Sequence, residues 1–181
     1  MLAADEHQID ADLLRRYRKV RALAPQVANI ALLRIGSQNS QLLIAEGERP
    51  QTIYRLAMGS HSIAKQYLLH APPTYQELEG AIFAIEEQIA AAHIRVPAGV
   101  QLYSSDRAVR RVAQFSHAPD QQTTSLGIEL VERSFNRLVN VTLGRPAAHE
   151  ALPLDAEFVA TLLQLRELLH HLRFSSLMVF A

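Results

Sequence analysis

The chain has 181 residues, balances 18 Lys and Arg against 18 Asp and Glu, and is 49% hydrophobic with no cysteine. That length suits one domain of about 100–200 residues with a core of its own, and zero net charge leaves no global field to gather nucleic acid or an anionic membrane. The lack of Cys excludes disulfides, thiolate nucleophiles and sulfur-bound zinc, in keeping with a reducing, cytoplasmic compartment.

From Met1 to His7 no basic segment leads into an apolar one, and the longest apolar stretches fall far short of the ~20 residues a membrane span needs. Neither a secretory leader nor a membrane segment is expected. Ile9 to Ala24 reads as a helix, with Leu13, Tyr17, Val20 and Ala24 at helical spacing and Pro25 ending it. Ala28 to Ile35 is an apolar run of strand length, closed by the turn formers Gly36 to Ser40 and answered by Gln41 to Ala45, which is a hairpin. Glu46 to Pro50 is a second turn, and Gln51 to Ala57 a third strand ended by Met58-Gly59.

Ser60 or Ser62 caps a helix carrying Ile63, Tyr67 and Leu68 that stops before Ala71-Pro72-Pro73. Thr74-x-x-Glu77 is a capping box, and the stripe Leu78, Ile82, Ile85, Ile89 carries its helix to about His93. After the Pro97-Ala98-Gly99 turn come a short strand, Val100 to Tyr103, and a helix capped by Ser105 or Asp106 that runs to Phe115. His117 to Thr124 reads as a polar surface loop and Leu126 to Leu143 as a helix. Gly144 to Pro153 is a connector, Asp155 caps a strongly apolar helix to His171, and Phe174 to Phe180 closes as a buried strand. Neither repeat nor linker divides residues 1–181. Three antiparallel strands followed by strand-helix crossovers predict an α/β domain: a mixed five-stranded sheet with helices on both faces, ribonuclease-H-like or actin-like.

The run Ala31-Leu-Leu-Arg-Ile-Gly-Ser-Gln-Asn-Ser-Gln-Leu-Leu-Ile resembles the second phosphate-loop region of the exopolyphosphatase and guanosine pentaphosphate phosphatase family. Arg49-Pro50, Leu56-Ala-Met-Gly-Ser, Lys65-Gln-Tyr-Leu and Pro72-Pro-Thr-Tyr-Gln-Glu-Leu follow in the family's order and spacing. Val100-Gln-Leu-Tyr-Ser-Ser-Asp-Arg-Ala-Val falls where the family has a glycine-rich strand-to-helix turn. The resemblance covers residues 28 to 116 and thins beyond. It implies the second of two actin-like halves, with the half that carries the family's catalytic glutamate missing.

The family's turn reads Asp-Ile-Gly-Gly-Gly-Ser-Thr-Glu, its acid serving metal and water and its glycines admitting phosphate to backbone N–H groups. Here Arg34 to Gln41 stand at those positions. Arg34 reverses the charge that would hold Mg²⁺, Gln41 neutralises the second acid, and Ser37 and Gln38 add side chains where close approach was needed. The later turn, Tyr103 to Arg107, lacks its two glycines. Hydrolysis of phosphoric anhydrides, and with it any need for Mg²⁺, is therefore not expected of the isolated chain.

Arg34, Gly36, Ser37, Asn39 and Ser40, with Ser105 and Arg107 at a helix start, form a candidate site for a phosphate-containing anion; the plainer alternative is an ordinary polar turn and a capped helix. The basic run Arg15 to Arg21 is a candidate nucleic-acid face or, more simply, the solvated side of an amphipathic helix, and nucleic acid is not an expected partner. The eight histidines show no helical metal spacing, so no metal site is expected. On the last helix Phe158, Leu162, Leu165 and Leu169 belong to an apolar surface that nearly encircles it, fitting burial inside the domain or an interface with a second copy. The expectation is a non-catalytic relative of this family, acting by association with itself or with a protein supplying the missing half, or by weak anion binding. Hydrolysis completed by such a partner, and an accessory role on nucleic acid, are the alternatives.

Overall fold

Helix α1 (Ala11–Leu23) leads into strands β1 (Asn29–Ile35), β2 (Ser40–Glu46) and β3 (Arg49–Leu56), then helices α2 (Ser60–Tyr67) and α3 (Tyr75–Ala91). Strand β4 (Gln101–Ser104), helix α4 (Arg107–Phe115), strand β5 (Thr123–Gly127), helices α5 (Ile128–Thr142), α6 (Ala147–Glu150) and α7 (Ala156–His171) and strand β6 (Ser176–Phe180) follow. This computed structural model describes residues 10–47, 49–118 and 122–180; Ile9, the expected start of the first helix, lies outside them. Among the described residues no helix is long and apolar enough to cross a membrane.

The six strands form one mixed sheet in the order β3-β2-β1-β4-β6-β5. The β1–β2, β2–β3 and β5–β6 pairs are antiparallel, while β1–β4 and β4–β6 are parallel. Pro50 is tolerated because β3 is an edge strand, where a missing ladder donor costs little. The α/β class therefore holds, with one strand more than expected. That strand, β5, takes the end of the expected polar loop and the start of the expected helix at Leu126. Thr124 and Leu126 point inward while Ser125 is exposed, so the period is two where the sequence looked merely polar. Its place beside β6 gives it partners, from Thr123 opposite Phe180 to Gly127 opposite Ser176.

The alternation of β1 splits the core. Ala31, Leu33 and Ile35 face α2, α3, α4, α5 and α7, and Ile30 and Leu32 face Leu13, Tyr17 and Val20 of α1. Both faces of β1 are thus covered, which is why it reads as an unbroken apolar run. Helix α7 is the centre of the larger layer, packing against α2, α3, α4 and α5. Asp155 caps it by accepting the Phe158 N–H at 3.1 Å.

The capping box of α3 does more than start a helix. Glu77 accepts the Thr74 N–H at 2.7 Å and the Leu69 N–H at 2.9 Å, and it lies 2.8 Å from His70 Nδ1. Desolvation opposes ionisation, but the hydrogen bonds outweigh it and bring the Glu77 carboxyl from 4.5 down to about 2. With the folded value depressed, the native state binds fewer protons than the unfolded chain between those limits. The contribution is therefore present above pH 4.5 and lost as the pH falls toward 2. Glu77→Gln should lower stability at pH 7 by about 1 kcal/mol, and melting curves of the two proteins should converge as the pH approaches 2.

Candidate functional site

The β1–β2 turn is built around Gly36. Its N–H donates to the Asn39 carbonyl at 3.0 Å, and a Cβ added at Gly36 would stand 2.6 Å from that same oxygen. Glycine is thus required for this close approach. The turn sits on the N-terminus of α2, where the first N–H groups of a helix have no partner within the helix and offer a natural anion site. Here they are taken. Ser60 N–H donates to the Gly36 carbonyl at 2.9 Å, and His61 and Ser62 N–H donate to the Ser37 carbonyl at 3.0 and 3.1 Å. The contact depends on Gly59, where a Cβ would come within 2.3 Å of the Ser37 oxygen.

The second turn, between β4 and α4, meets the first through Asp106. Asp106 stands at the N-cap of α4 but does not cap it through its side chain. Its carboxylate crosses to β1, where Oδ2 accepts the Ile35 N–H at 2.7 Å. Parallel pairing of β1 with β4 ends at Leu32 and Tyr103, so the Ile35 amide lies beyond the ladder and needs another acceptor. Oδ1 accepts from Arg16 Nη1 at 2.7 Å, and the same nitrogen donates to Ser105 Oγ at 3.0 Å. Arg16 also holds Asp12 through Nε at 2.7 Å. Burial pushes the Asp106 carboxyl up, against the opposing pull of the Ile35 N–H and Arg16.

Arg34 lies on the other face of β1, toward α1. It donates to Asp10 Oδ2 at 2.6 Å and to Gln41 Oε1 at 3.3 Å, with Asp12 Oδ2 4.0 Å from its Nε. The Asp12 N–H first, and then Arg34, hold the Asp10 carboxyl below its usual range. Ser40 is fully buried and donates to Gln164 Oε1 of α7 at 3.1 Å. Ser37 and Asn39 have exposed side chains at the tip of the turn, and Arg107 is exposed at the start of α4.

The structure therefore brings the two expected turns together but scatters the expected anion donors among internal partners. Gly36 and Ser40 are structural, Arg34 serves α1, Ser105 serves Arg16, and only Ser37, Asn39 and Arg107 face outward. The residues do not fit Mg²⁺ either. Arg34 and Gln41 offer no carboxylate, and both oxygens of Asp106 are engaged. Phe158, Leu162, Leu165 and Leu169 are 2% exposed or less within the chain itself and present no surface to a partner. Part of the basic run of α1 is engaged within the chain: Arg15 and Arg16 pair with Asp12, and Arg21 donates to Tyr17 Oη and the Ala28 carbonyl, each at 3.0 Å.

Sequence reasoning missed Asp106 as the joint between the turns, because its place before a helix makes capping the obvious role. Its signal was the pair of hydroxyls before it, since Ser104 Oγ and Ser105 Oγ both belong to the same cluster.

No protein-family model and no curated protein matches the chain. Solved structures do. The Ppx/GppA enzyme of Aquifex aeolicus superposes with a TM-score of 0.70 over 91% of this chain, at 12% identity. An exopolyphosphatase-like protein gives a TM-score of 0.64 over 83% of the chain at 14% identity. The fold is that of the Ppx/GppA proteins. An exopolyphosphatase from Cytophaga hutchinsonii gives 0.58 over 93% of the chain at 12% identity. The chain spans 57% of the Aquifex Ppx/GppA protein, 55% of the second neighbour and 60% of the third, so it corresponds to a little over half of each.

Proposed function

We propose that this chain is a non-catalytic relative of the Ppx/GppA phosphatases that acts through protein association, its phosphate turn having become a structural joint. The observation that carries the reading is the Asp106 carboxylate on the Ile35 N–H, 7% exposed and clamped by Arg16. A carboxylate held there places negative charge where a phosphate turn must receive it, and repels a second anion. The first N–H groups of α2 are likewise matched to the carbonyls of Gly36 and Ser37, so that helix end has none of them left for a phosphate. The partner is a second copy or a protein carrying a complementary half.

The purified chain, incubated with Mg²⁺ and polyphosphate, guanosine pentaphosphate or ATP, should release phosphate no faster than the protein-free control. Robust turnover by the chain alone would overturn the reading.

A further inference from the structure

We propose that Glu86, Glu167 and His171 form a site for a divalent transition-metal cation that ties α3 to α7. One ligand atom from each residue lies within 4.8 Å of the other two. His171 Nε2 is 3.2 Å from Glu86 Oε1 and 3.8 Å from Glu167 Oε2. Ligand atoms around a tetrahedral zinc ion stand about 3.3 Å apart, given metal–ligand bonds of roughly 2.0–2.1 Å. Small rotamer adjustments therefore close the site, without movement of either helix. Glu167 and His171 are four residues apart and share one face of α7, while Glu86 arrives from α3 across the packed interface. A search for paired histidines overlooks this arrangement, since its helical pair is a Glu and a His.

The burial is graded as a cation site requires. The Glu167 side chain is 4% exposed, whereas Glu86 and His171 are 41% and 42% exposed. A fixed carboxylate forms the floor and the remaining coordination positions open to water. Arg166 Nη1 holds Glu167 Oε1 at 2.5 Å, which leaves Oε2 on the His171 side.

Charge points the same way. Around Glu86 and Glu167 stand Arg166, Glu132, paired to Arg166 Nε at 2.8 Å, and His170, paired to Glu132. With His171 neutral, as a metal ligand must be, the carboxylates of Glu86, Glu167 and Glu132 outnumber the single guanidinium of Arg166, and that excess of negative charge favours a divalent cation. Two carboxylates with one imidazole suit Zn²⁺ or Mn²⁺ better than the all-oxygen preference of Mg²⁺ or Ca²⁺. The site is also remote from the turn. Glu157, which pairs with His61 of α2 at 2.9 Å, precedes His171 by ~21 Å of helix.

Calorimetric titration of Zn²⁺ into the untagged chain tests this, with Co²⁺ absorption as an independent readout of the ligand set. One equivalent should bind, His171→Ala and Glu86→Gln should each weaken it at least tenfold and abolish the Co²⁺ spectrum, and His70→Ala should leave both intact. Because His171 and Glu86 are partly exposed, both variants should fold, which thermal melts in chelator will verify. No binding at millimolar Zn²⁺, or undiminished binding in both variants, would overturn the site.

Discussion

Asp106→Ala should lower the stability of the chain by about 3 kcal/mol, and inorganic phosphate should restore part of that loss in the variant while leaving the wild type unmoved. The substitution removes the only acceptor described for the Ile35 N–H and one of the two carboxylates on Arg16. A buried amide left without a partner costs ~1–3 kcal/mol. Losing one member of a buried ion pair costs ~3–5 kcal/mol, and the lower end applies because Arg16 is 27% exposed and keeps Asp12. The ionised carboxylate is itself held at a cost, since burial raises the Asp106 carboxyl above its usual 3.8. The native state then binds more protons than the unfolded chain just above that value, so this group's contribution weakens as the pH rises through the folded value. Asp106→Asn keeps an acceptor for Ile35 and should lose less than the alanine. The phosphate arm follows from what alanine leaves behind, an open amide and a partly buried guanidinium aimed at one point. Denaturant titrations with and without phosphate read both effects, and equal stabilisation of wild type and variant would mean that Asp106 does not fill the anion position.

Much of the architecture was legible because local chemistry and tertiary structure agree. Thr74 with Glu77, Asp155 before α7 and Gly36 between two apolar strands each make the hydrogen bond or close approach their residue type predicts. The strand β5 was not legible, because only Thr124 and Leu126 turn inward and its pairing partner, β6, lies some 50 residues later in the chain. The candidate site divides the same way. The two turns were found from their residues, and Arg34 and Gln41 showed that the two acids of the family they resemble do not stand there. That their donors are filled from within was not readable, since the filling groups, Asp106, Arg16 and Asp10, reach them over 24 to 90 positions. Long-range polar pairing leaves no periodicity in the sequence, whereas burial does.

Leu165→Ala should destabilise the chain by about 3 kcal/mol, within the ~2–5 kcal/mol of a buried Leu-to-Ala change, without changing its oligomeric state. A helix apolar around most of its circumference has two physical explanations, a core position or a shared interface, and composition alone does not separate them. In this fold α7 lies beneath α2, α3, α4 and α5, and Leu162, Leu163, Leu165 and Leu169 are all fully buried. Removing three carbons at Leu165 opens a void between elements that the sheet and four other helices hold in place, so collapse around it is limited. Polar groups reinforce this, because Gln164, also fully buried, accepts from Ser40 at 3.1 Å and fixes the rotation of α7 against β2. An interface helix would behave oppositely: truncation would shift the dissociation constant of an oligomer and barely touch the monomer. Denaturant midpoints and sedimentation across a hundredfold concentration range distinguish the two. A variant that unfolds like the wild type yet dissociates more readily would return α7 to the surface.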